Sequence, residues 1–304
     1  MIKHLRCLTS LPMATPIVAV SLLLMASPQA AWAQLMMPRV IYGEDERMDL
    51  YEVDSFEVLN LARSTVALVD QSRMDVLDLS PMSFGLKGTN FGEGYKLCEQ
   101  ERFREQTITA RCSGFLVAPD LIVTAGHCMM AQDDCQNTQF VFDLALQQKG
   151  QEPQSLNQNQ VYHCAQVVTL QLDTEGTDFA VVRLDRPVLD RKPLPLRRQS
   201  QAQVGEPLMI IGNPLGLPTK VAPGGSVRET QKNKPYFVAN LDSFGGNSGS
   251  PVISEITGEV AGVLVRGEVD FERQGDCRIS KRCALNDCRG EDVIHIERIL
   301  PFLN

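Results

Sequence analysis

The segment FAVVRL (Phe179–Leu184) is a short run of β-branched and apolar residues, with Gly176 before it and Pro187 after it. Runs of this length and composition, bounded by turn-forming residues, favour β-strands. Similar runs recur along the chain: STVALV (64–69), SGFLVA (113–118), LIVTA (121–125), QFVFDL (139–144), PLMIIG (207–212), SPVIS (250–254), EVAGVLV (259–265) and VIHI (293–296). Long helical periodicity is scarce. The sequence therefore predicts an all-β fold, a sandwich or barrels, closed by one short helix within residues 296–303.

Composition and charge exclude several classes of protein. The chain has 304 residues, of which 43% are hydrophobic and 22% are charged. These values are typical of a globular protein with a sizeable core, and they exclude a disordered or polytopic membrane protein. Lys and Arg number 29 against 37 Asp and Glu, so the formal net charge is −8. An acidic chain has no general attraction for DNA or RNA, and we expect no nucleic-acid partner.

The N-terminal residues have the pattern of a secretory signal peptide. Basic residues at Lys3 and Arg6 precede the apolar run IVAVSLLLMA (17–26), which is too short to span a bilayer comfortably. The tripeptide AWA (31–33) then provides a small-residue cleavage site. The alternative is an uncleaved anchor. We expect residues 1–33 to be removed from a secreted or periplasmic protein that keeps no stable membrane insertion.

Cysteine usage agrees with export. Of nine Cys, one (Cys7) lies in the predicted signal peptide, which leaves an even number. An even number in an exported chain predicts a disulfide framework. A zinc site is the weaker alternative, because the sequence contains no CxxC pair. We expect no metal and no cofactor.

Three segments contain residue types suited to nucleophilic catalysis. VTAGHC (Val123–Cys128) delivers His127 at the end of a strand, and GTDFAVVRLDRP (Gly176–Pro187) places Asp178 at the start of one. In FGGNSGSP (Phe244–Pro251), glycines on both sides of Ser248 allow a tight turn. Each segment alone has an ordinary structural explanation: a lone His, a strand-capping Asp or a plain Gly/Ser loop.

Together the three segments fit one mechanism. A serine hydroxyl needs a base, a neutral imidazole can take its proton, and a buried carboxylate can fix the imidazole tautomer. Backbone N–H groups of Gly246 and Ser248 could stabilise the oxyanion, an effect of about 3 kcal/mol per donor. The order His127, Asp178, Ser248 excludes the orders found in subtilisins and α/β-hydrolases.

The motifs TAGHC, TDFAVVRL and GGNSGSP resemble those of chymotrypsin-like (trypsin-like) serine proteases. GNSGSP is similar to the bacterial branch that contains the glutamyl endopeptidases, as are RVIYGEDER (39–47) and IIGNPLGLP, which ends at Pro218. The resemblance covers residues 40–304. It implies two six-stranded antiparallel β-barrels, formed by residues 40–190 and 191–304, with the active site between them. It also allows a short propeptide at residues 34–39.

The same resemblance bears on the cysteines and on activation. Cys112 and Cys128 fall where the family has a disulfide at the histidine loop, and we expect this bond to tether His127. Cys135–Cys164 is a plausible second bridge. The pairing of the other four stays open: Cys98, Cys277, Cys283 and Cys288. Asn247 replaces the Asp that switches on the animal digestive zymogens, so this switch is expected to be absent or different.

The residues that set specificity have two interpretations. Asp242 stands six residues before Ser248, an offset at which trypsin-type enzymes hold the pocket carboxylate that pairs with a substrate Arg or Lys. Ser243 would lie at the same depth. In the rival account, Arg266, on the segment Val265–Gly267 that pairs with extended substrate, favours acidic side chains or neutralises Asp242. Glutamyl endopeptidases use a His on this strand, where this chain has Leu264. We favour cleavage after basic residues.

Three functions compete at this point. The first is a secreted serine endopeptidase, acting as a monomer on protein or peptide substrates. The second is a catalytically silent homologue that binds peptides or a partner protein, although such homologues usually lack a triad member. The third is a periplasmic quality-control protease of the Deg type. Only 56 residues follow Ser248, and the second barrel needs them, which argues against an appended peptide-binding module.

Overall fold

Twelve strands close into two six-stranded antiparallel β-barrels. The structure is a computed structural model, and it describes residues 40–79 and 82–303. The predicted signal peptide (1–33) and propeptide (34–39) lie outside these residues. Within the described ranges, no helix is long and apolar enough to cross a membrane.

Strands dominate the secondary structure. They are β1 (Ile41–Tyr42), β2 (Met48–Asp49), β3 (Thr65–Asp70), β4 (Met74–Leu79), β5 (Met82–Leu86), β6 (Thr89–Asn90), β7 (Thr107–Ile108), β8 (Ala110–Ala118), β9 (Leu121–Thr124), β10 (Thr138–Phe142), β11 (Ser155–Asn157), β12 (Val161–Leu172), β13 (Asp178–Leu184), β14 (Pro207–Gly212), β15 (Lys220–Thr230), β16 (Tyr236–Ala239), β17 (Pro251–Ser254), β18 (Val260–Arg266), β19 (Phe271–Gln274), β20 (Cys277–Ser280), β21 (Arg282–Cys283) and β22 (Glu291–His295).

Helices in the described residues are short. The α-helices are α1 (Phe56–Ala62), α2 (Phe91–Tyr95) and α3 (Asp134–Asn137). The 3₁₀ turns are Leu50–Glu52, Gln71–Arg73, Gly126–Met129, Pro214–Gly216, Ile296–Arg298 and Leu300–Phe302. The last two turns form the short C-terminal helix that the sequence predicts.

The first barrel contains strands β3, β8, β9, β10, β12 and β13. They pair in the order β10-β12-β13-β9-β8-β3, and β3 returns to β10. The apolar run that follows Asp178 explains the position of β13, because all of its residues except Arg183 are buried. Phe115, Phe140 and Val181 are fully buried in the barrel core.

The second barrel contains β14, β15, β16, β17, β18 and β22. Its strands follow the order β14-β17-β18-β22-β16-β15, and a β14–β15 pairing closes the barrel. Strand β2 adds to β15 from the N-terminal segment. One hydrophobic cluster contains side chains of both barrels, including Phe115 and Val181 from the first and Val263 and Ile294 from the second. The barrels therefore pack against each other through a continuous core.

All nine apolar runs predicted as strands become barrel strands, which confirms the all-β class and favours barrels over a sandwich. Three barrel strands were missed: β12, β15 and β16. Strand β12 exposes much of its length, and β15 contains the sequence Pro223-Gly224-Gly225, so neither has the continuous apolar run that the prediction relies on.

Four disulfides cross-link the chain. Cys112–Cys128 and Cys135–Cys164 agree with the expected pairs. The open pairing resolves into Cys98–Cys277 and Cys283–Cys288. Cys98 lies in the segment between β3 and β8 of the first barrel, and Cys277 lies in the β19–β20 hairpin, which the chain inserts between β18 and β22. Four disulfides are typical of an extracellular or periplasmic protein.

Candidate active site

His127 lies on the 3₁₀ turn Gly126–Met129, which directly follows strand β9. This turn packs tightly against β12 and β13: a Cβ atom at Gly126 would lie 2.8 Å from the carbonyl oxygen of Gln171 on β12 and 3.0 Å from the nitrogen of Phe179 on β13. The disulfide Cys112–Cys128 ties the same turn to β8. Glycine and the disulfide therefore bring the histidine against the start of β13.

Asp178 holds both the backbone and the ring of His127. The carboxylate is fully buried at the first residue of β13. Its Oδ1 atom accepts the N–H of His127 at 3.0 Å, and its Oδ2 atom lies 2.9 Å from Nδ1 of the ring. An ionised carboxylate only accepts hydrogen bonds, so Nδ1 carries the proton and Nε2 is left as an acceptor. This arrangement prepares the imidazole to act as a base.

Ser248 lies in a tight loop that residue Ser113 holds against the first barrel. The backbone N–H of Ser113 donates to the carbonyl of Ser248 at 2.8 Å, and its hydroxyl donates to the carbonyl of Gly246 at 2.9 Å. A Cβ atom at Gly249 (φ +88°) would lie 2.1 Å from the carbonyl oxygen of Ser113, so this contact requires glycine.

The loop of Ser248 and the turn of His127 meet at the disulfide Cys112–Cys128. Sγ of Cys128, the residue next to His127, lies 3.9 Å from the carbonyl oxygen of Ser248. Ser113, the neighbour of Cys112, contacts the same carbonyl. The structure thus brings together the three segments that the sequence analysis singled out, although they are separated by 51 and 70 residues in the chain.

The predicted oxyanion donors belong to two peptide groups whose carbonyls are engaged. The carbonyl of Gly245 accepts a hydrogen bond from Leu215, and that of Asn247 accepts from Ser250 at 2.9 Å. In a trans peptide the N–H points away from the preceding carbonyl oxygen. The N–H groups of Gly246 and Ser248 are thereby directed away from Leu215 and Ser250, and their role as an oxyanion hole stays a prediction.

The spacing of Cys112, His127 and Cys128 does not indicate a metal site. Their potential ligand atoms lie within 4.8 Å of one another. Both sulfur atoms, however, are joined in a disulfide, so neither can act as a thiolate ligand. The spacing instead shows how closely this disulfide approaches the histidine.

Asp242 is buried and binds the N-terminal segment. Its Oδ1 accepts the N–H of Tyr42 at 2.7 Å and its Oδ2 accepts the N–H of Glu46 at 2.8 Å. Burial raises the pKa of this carboxyl to about 6. As the floor of a substrate pocket, Asp242 would have to hold a substrate cation while keeping both bonds. That role stays a prediction.

Arg266 contacts Asp178 rather than Asp242. Its Nη1 lies 3.8 Å from Oδ2 of Asp178, and its Nε lies 3.1 Å from Oδ2 of Asp292. The neighbouring Val265 is buried in the core and Gly267 is also buried. The substrate-binding role of Val265–Gly267 rests on the sequence resemblance and stays a prediction.

Two carboxylates beside the nucleophile loop were missed by sequence reasoning. The hydroxyl of Ser243 donates to Oε2 of Glu291 at 3.0 Å, and the N–H of Gly245 donates to Oδ1 of Asp270 at 3.2 Å. Glu291 is fully buried and Asp270 is 6% exposed. The sequence offered one signal, because Glu291 lies two residues before the apolar run VIHI, which could pair with the strand after Ser248.

Comparisons with known proteins agree with this fold. A family model described as the trypsin-like peptidase domain matches residues 112–263. No curated protein matches the chain. Among solved structures, a Glu endopeptidase in complex with MPD is similar, with 16% identity, a TM-score of 0.50 and coverage of 87% of this chain and 98% of that one.

Two further structures resemble the chain more distantly. One is a protease from M. tuberculosis in its active form, with 14% identity, a TM-score of 0.46 and coverage of 88% of this chain and 90% of that one. The other is the serine endoprotease from Yersinia pestis, with 16% identity, a TM-score of 0.45 and coverage of 81% of this chain and 62% of that one.

Proposed function

The chain belongs to the trypsin-like peptidase family and is a serine endopeptidase, and we propose that Ser248, His127 and Asp178 form its catalytic triad. The main support for this proposal is that Asp178 contacts both the backbone N–H and the ring of His127. Such a double contact fixes the position and the tautomer of the imidazole, and a base needs both.

The residues account for each step of peptide hydrolysis. Oγ of Ser248 attacks the scissile carbonyl carbon while Nε2 of His127 takes the hydroxyl proton, and Asp178 stabilises the resulting imidazolium. The oxyanion that forms is bound by the N–H groups of Gly246 and Ser248. The intermediate collapses, the C–N bond breaks, and the leaving amine takes the proton from His127. Water then hydrolyses the acyl-enzyme by the same sequence and restores Ser248.

The charges beside the nucleophile loop support cleavage after Arg or Lys. Buried carboxylates lie along Asp242–Gly245: Asp242 itself, Glu291 on Ser243 and Asp270 on Gly245. In a poorly solvated site this concentration of negative charge favours a substrate cation and disfavours Glu or Asp. Arg266, the residue that would favour acidic substrates, is directed at Asp178 and Asp292 instead.

A peptide library tests the specificity directly. We expect the purified enzyme to cleave after Arg and Lys. A preference for Glu or Asp would overturn the proposed cleavage after Arg and Lys. It would support the account in which Arg266 binds the acidic side chain of the substrate. Uniform cleavage would mean that neither the carboxylates along Asp242–Gly245 nor Arg266 face the pocket.

We also propose that the enzyme is exported and that residues 1–33 are removed. The N-terminal sequence pattern and the four disulfides support this assignment. Trp32 is the one Trp of the sequence, so the exported protein should lack indole fluorescence. Its intact mass should correspond to a chain that begins at Gln34 or later. An exported chain that retains Trp32 would contradict removal of the signal peptide.

A silent peptide-binding homologue is the competing function. It would keep the fold and the disulfides without an activated serine. The retained triad and the contact between His127 and Asp178 favour the enzyme. Reaction of Ser248 with a fluorophosphonate separates the two functions, because this reagent requires an activated nucleophile.

A further inference from the structure

An arginine lies against the carboxylate of the proposed triad. Arg266 ends strand β18, and its side chain is 12% exposed. Its Nη1 atom lies 3.8 Å from Oδ2 of Asp178, the same oxygen that lies 2.9 Å from Nδ1 of His127. One carboxylate oxygen is therefore shared between a permanent cation and the ring that would accept the serine proton.

The guanidinium is fixed by contacts that need no substrate. Its Nε lies 3.1 Å from Oδ2 of Asp292 on β22, and its Nη2 donates to the carbonyl of Gly176 at 2.8 Å. The ring of Tyr236 lies 5.4 Å from the guanidinium carbon. Gly176 belongs to the turn before Asp178, so Arg266 joins that turn to the second barrel.

We propose, on the basis of the proposed triad, that Arg266 is a positioning residue that holds Asp178 in place and disfavours protonation of His127. The positive charge competes with the imidazolium for Asp178, so the neutral, base-competent form of His127 persists to lower pH. The acid limb of kcat/KM against pH reports the protonation of the free enzyme's base. Arg266 therefore moves this limb toward lower pH.

Other charged groups around the pair modify this effect. Asp292 partly offsets the charge of Arg266, but it also binds Nη2 of Arg289 at 2.6 Å. Arg111 of β8 donates to the carbonyl of Cys128 and pairs with Asp70 and Asp134. The other charged and titratable groups on the neighbouring elements are Tyr162 and His163 of β12, Asp173 and Glu175 before β13, Arg183 of β13, Tyr236 of β16, and Glu291 and His295 of β22. In the described residues, none of these groups places a second positive charge beside Oδ2 of Asp178.

Neutralisation of Arg266 should move the acid limb. We expect the acid limb of Arg266→Met to shift by about one pH unit toward higher pH. At pH values above the limb, kcat/KM should fall by less than it does within the limb. Arg266→Lys should restore most of the wild-type profile. Arg289→Gln is the matched control, because Arg289 shares Asp292 but does not contact Asp178, and its limb should move by less than half as much. A purely structural role for Arg266 would lower kcat/KM equally at all pH values.

A titration that needs no activity separates this inference from the triad proposal. In the full chain carrying Ser248→Ala, the ring of His127 can be followed by NMR against pH, with and without Arg266→Lys or Arg266→Met. A higher titration midpoint in Arg266→Met supports the inference, even if the protein proves not to cleave peptides. Equal midpoints for His127 in folded Arg266→Met and in the parent protein would overturn it. If Arg266→Met does not fold, an unchanged midpoint in Arg266→Gln would overturn it equally.

Discussion

The two halves of the candidate site are built differently. His127 and Asp178 come from β9 and β13, which pair directly in one barrel, and their own backbone geometry brings them together. The segment Asp242–Gly245 is held instead by an N-terminal segment outside both barrels and by the first residue of β22. Asp242 binds Tyr42 across 200 residues, and Ser243 binds Glu291 across 48 residues. The half proposed to act on the scissile bond is thus built on two neighbouring strands of one barrel, whereas the half assigned to substrate selection is held by the N-terminal segment and by β22.

This difference predicts where substitutions will act. Changes at the His127–Asp178 half should lower turnover for all substrates, because every substrate uses the same base. Changes around Asp242–Gly245 should alter substrate choice or stability while the base remains intact. The following predictions are arranged from the largest expected effect to the smallest.

Replacement of the triad carboxylate should have the largest effect. In Asp178→Asn, the oxygen must remain where it accepts the N–H of His127, which places the amide NH₂ against Nδ1. Nδ1 then becomes the acceptor and Nε2 carries the proton, so the base is lost. We expect kcat to fall about ten-thousandfold, measured on one peptide substrate.

Two other aspartates near the same strand are matched controls. Asp173 binds the N–H groups of its own turn, and Asp185 accepts the N–H of His163. Asp173→Asn and Asp185→Asn should keep kcat within severalfold of wild type. A ten-thousandfold loss in either, with Asp178→Asn unaffected, would move the acidic member of the triad to that residue.

Glu291→Gln should have the next largest effect, and on substrate choice alone. The amide can still accept from the hydroxyl of Ser243, but the negative charge is lost. We expect kcat/KM for substrates with Arg before the scissile bond to fall by about a hundredfold, the scale of a lost buried ion pair. The value for substrates with an apolar residue there should change little.

Glu272→Gln, an exposed change of the same type on β19, serves as the control for Glu291→Gln. It should leave the Arg-to-apolar ratio of kcat/KM unchanged. If Glu291→Gln also leaves this ratio unchanged, Glu291 does not set the specificity, and Asp242 remains the expected partner of a basic side chain.

The sequence predicted the His127–Asp178 half of the site and Ser248 better than it predicted the surroundings of Asp242–Gly245. His127, Asp178 and Ser248 each lie in a short motif, because strand ends and a glycine-rich turn define their positions locally. Nine of the twelve barrel strands are continuous apolar runs and were predicted for the same reason. Asp270 was missed because it lies in the irregular stretch after β18. Glu291 begins β22, but its contact with Ser243 depends on how β22 pairs with β16 and β18, which the sequence does not determine.

The contacts of Arg266 show the same limit. Its position at the end of β18 was predicted, but the direction of its side chain was not. That direction depends on Asp292 of β22 and on the carbonyl of Gly176, two partners that lie 26 and 90 residues away. A sequence motif indicates which residue lies on a strand. The conformation of a long side chain there depends on its ion-pair partners on other strands.

Asp242 should give a smaller effect, on stability rather than turnover. Burial raises its pKa to about 6, above the ordinary value of 3.8. Its contribution to stability is fully present below pH 4 and is lost as the pH rises through 6, because the buried carboxyl must then ionise. We expect the free energy of unfolding to fall by on the order of 2 kcal/mol between pH 4 and pH 7.

Urea unfolding of wild type and Asp242→Asn at several pH values measures this contribution. The difference between the two free energies of unfolding removes the titration of all other groups. This difference should depend on pH between 4 and 7. A constant difference would mean that the hydrogen bonds from Tyr42 and Glu46 hold the carboxylate ionised throughout.

The central claim is that Ser248 is a nucleophile activated by His127. Intact-mass and peptide mass spectrometry after reaction with an organofluorophosphonate test it most directly. The account predicts one adduct per chain, located on Ser248, and its loss in both Ser248→Ala and His127→Ala, with peptidase activity at least about a thousandfold lower in Ser248→Ala. A folded wild-type protein that takes up no label, or that carries the label on another residue, would contradict the account.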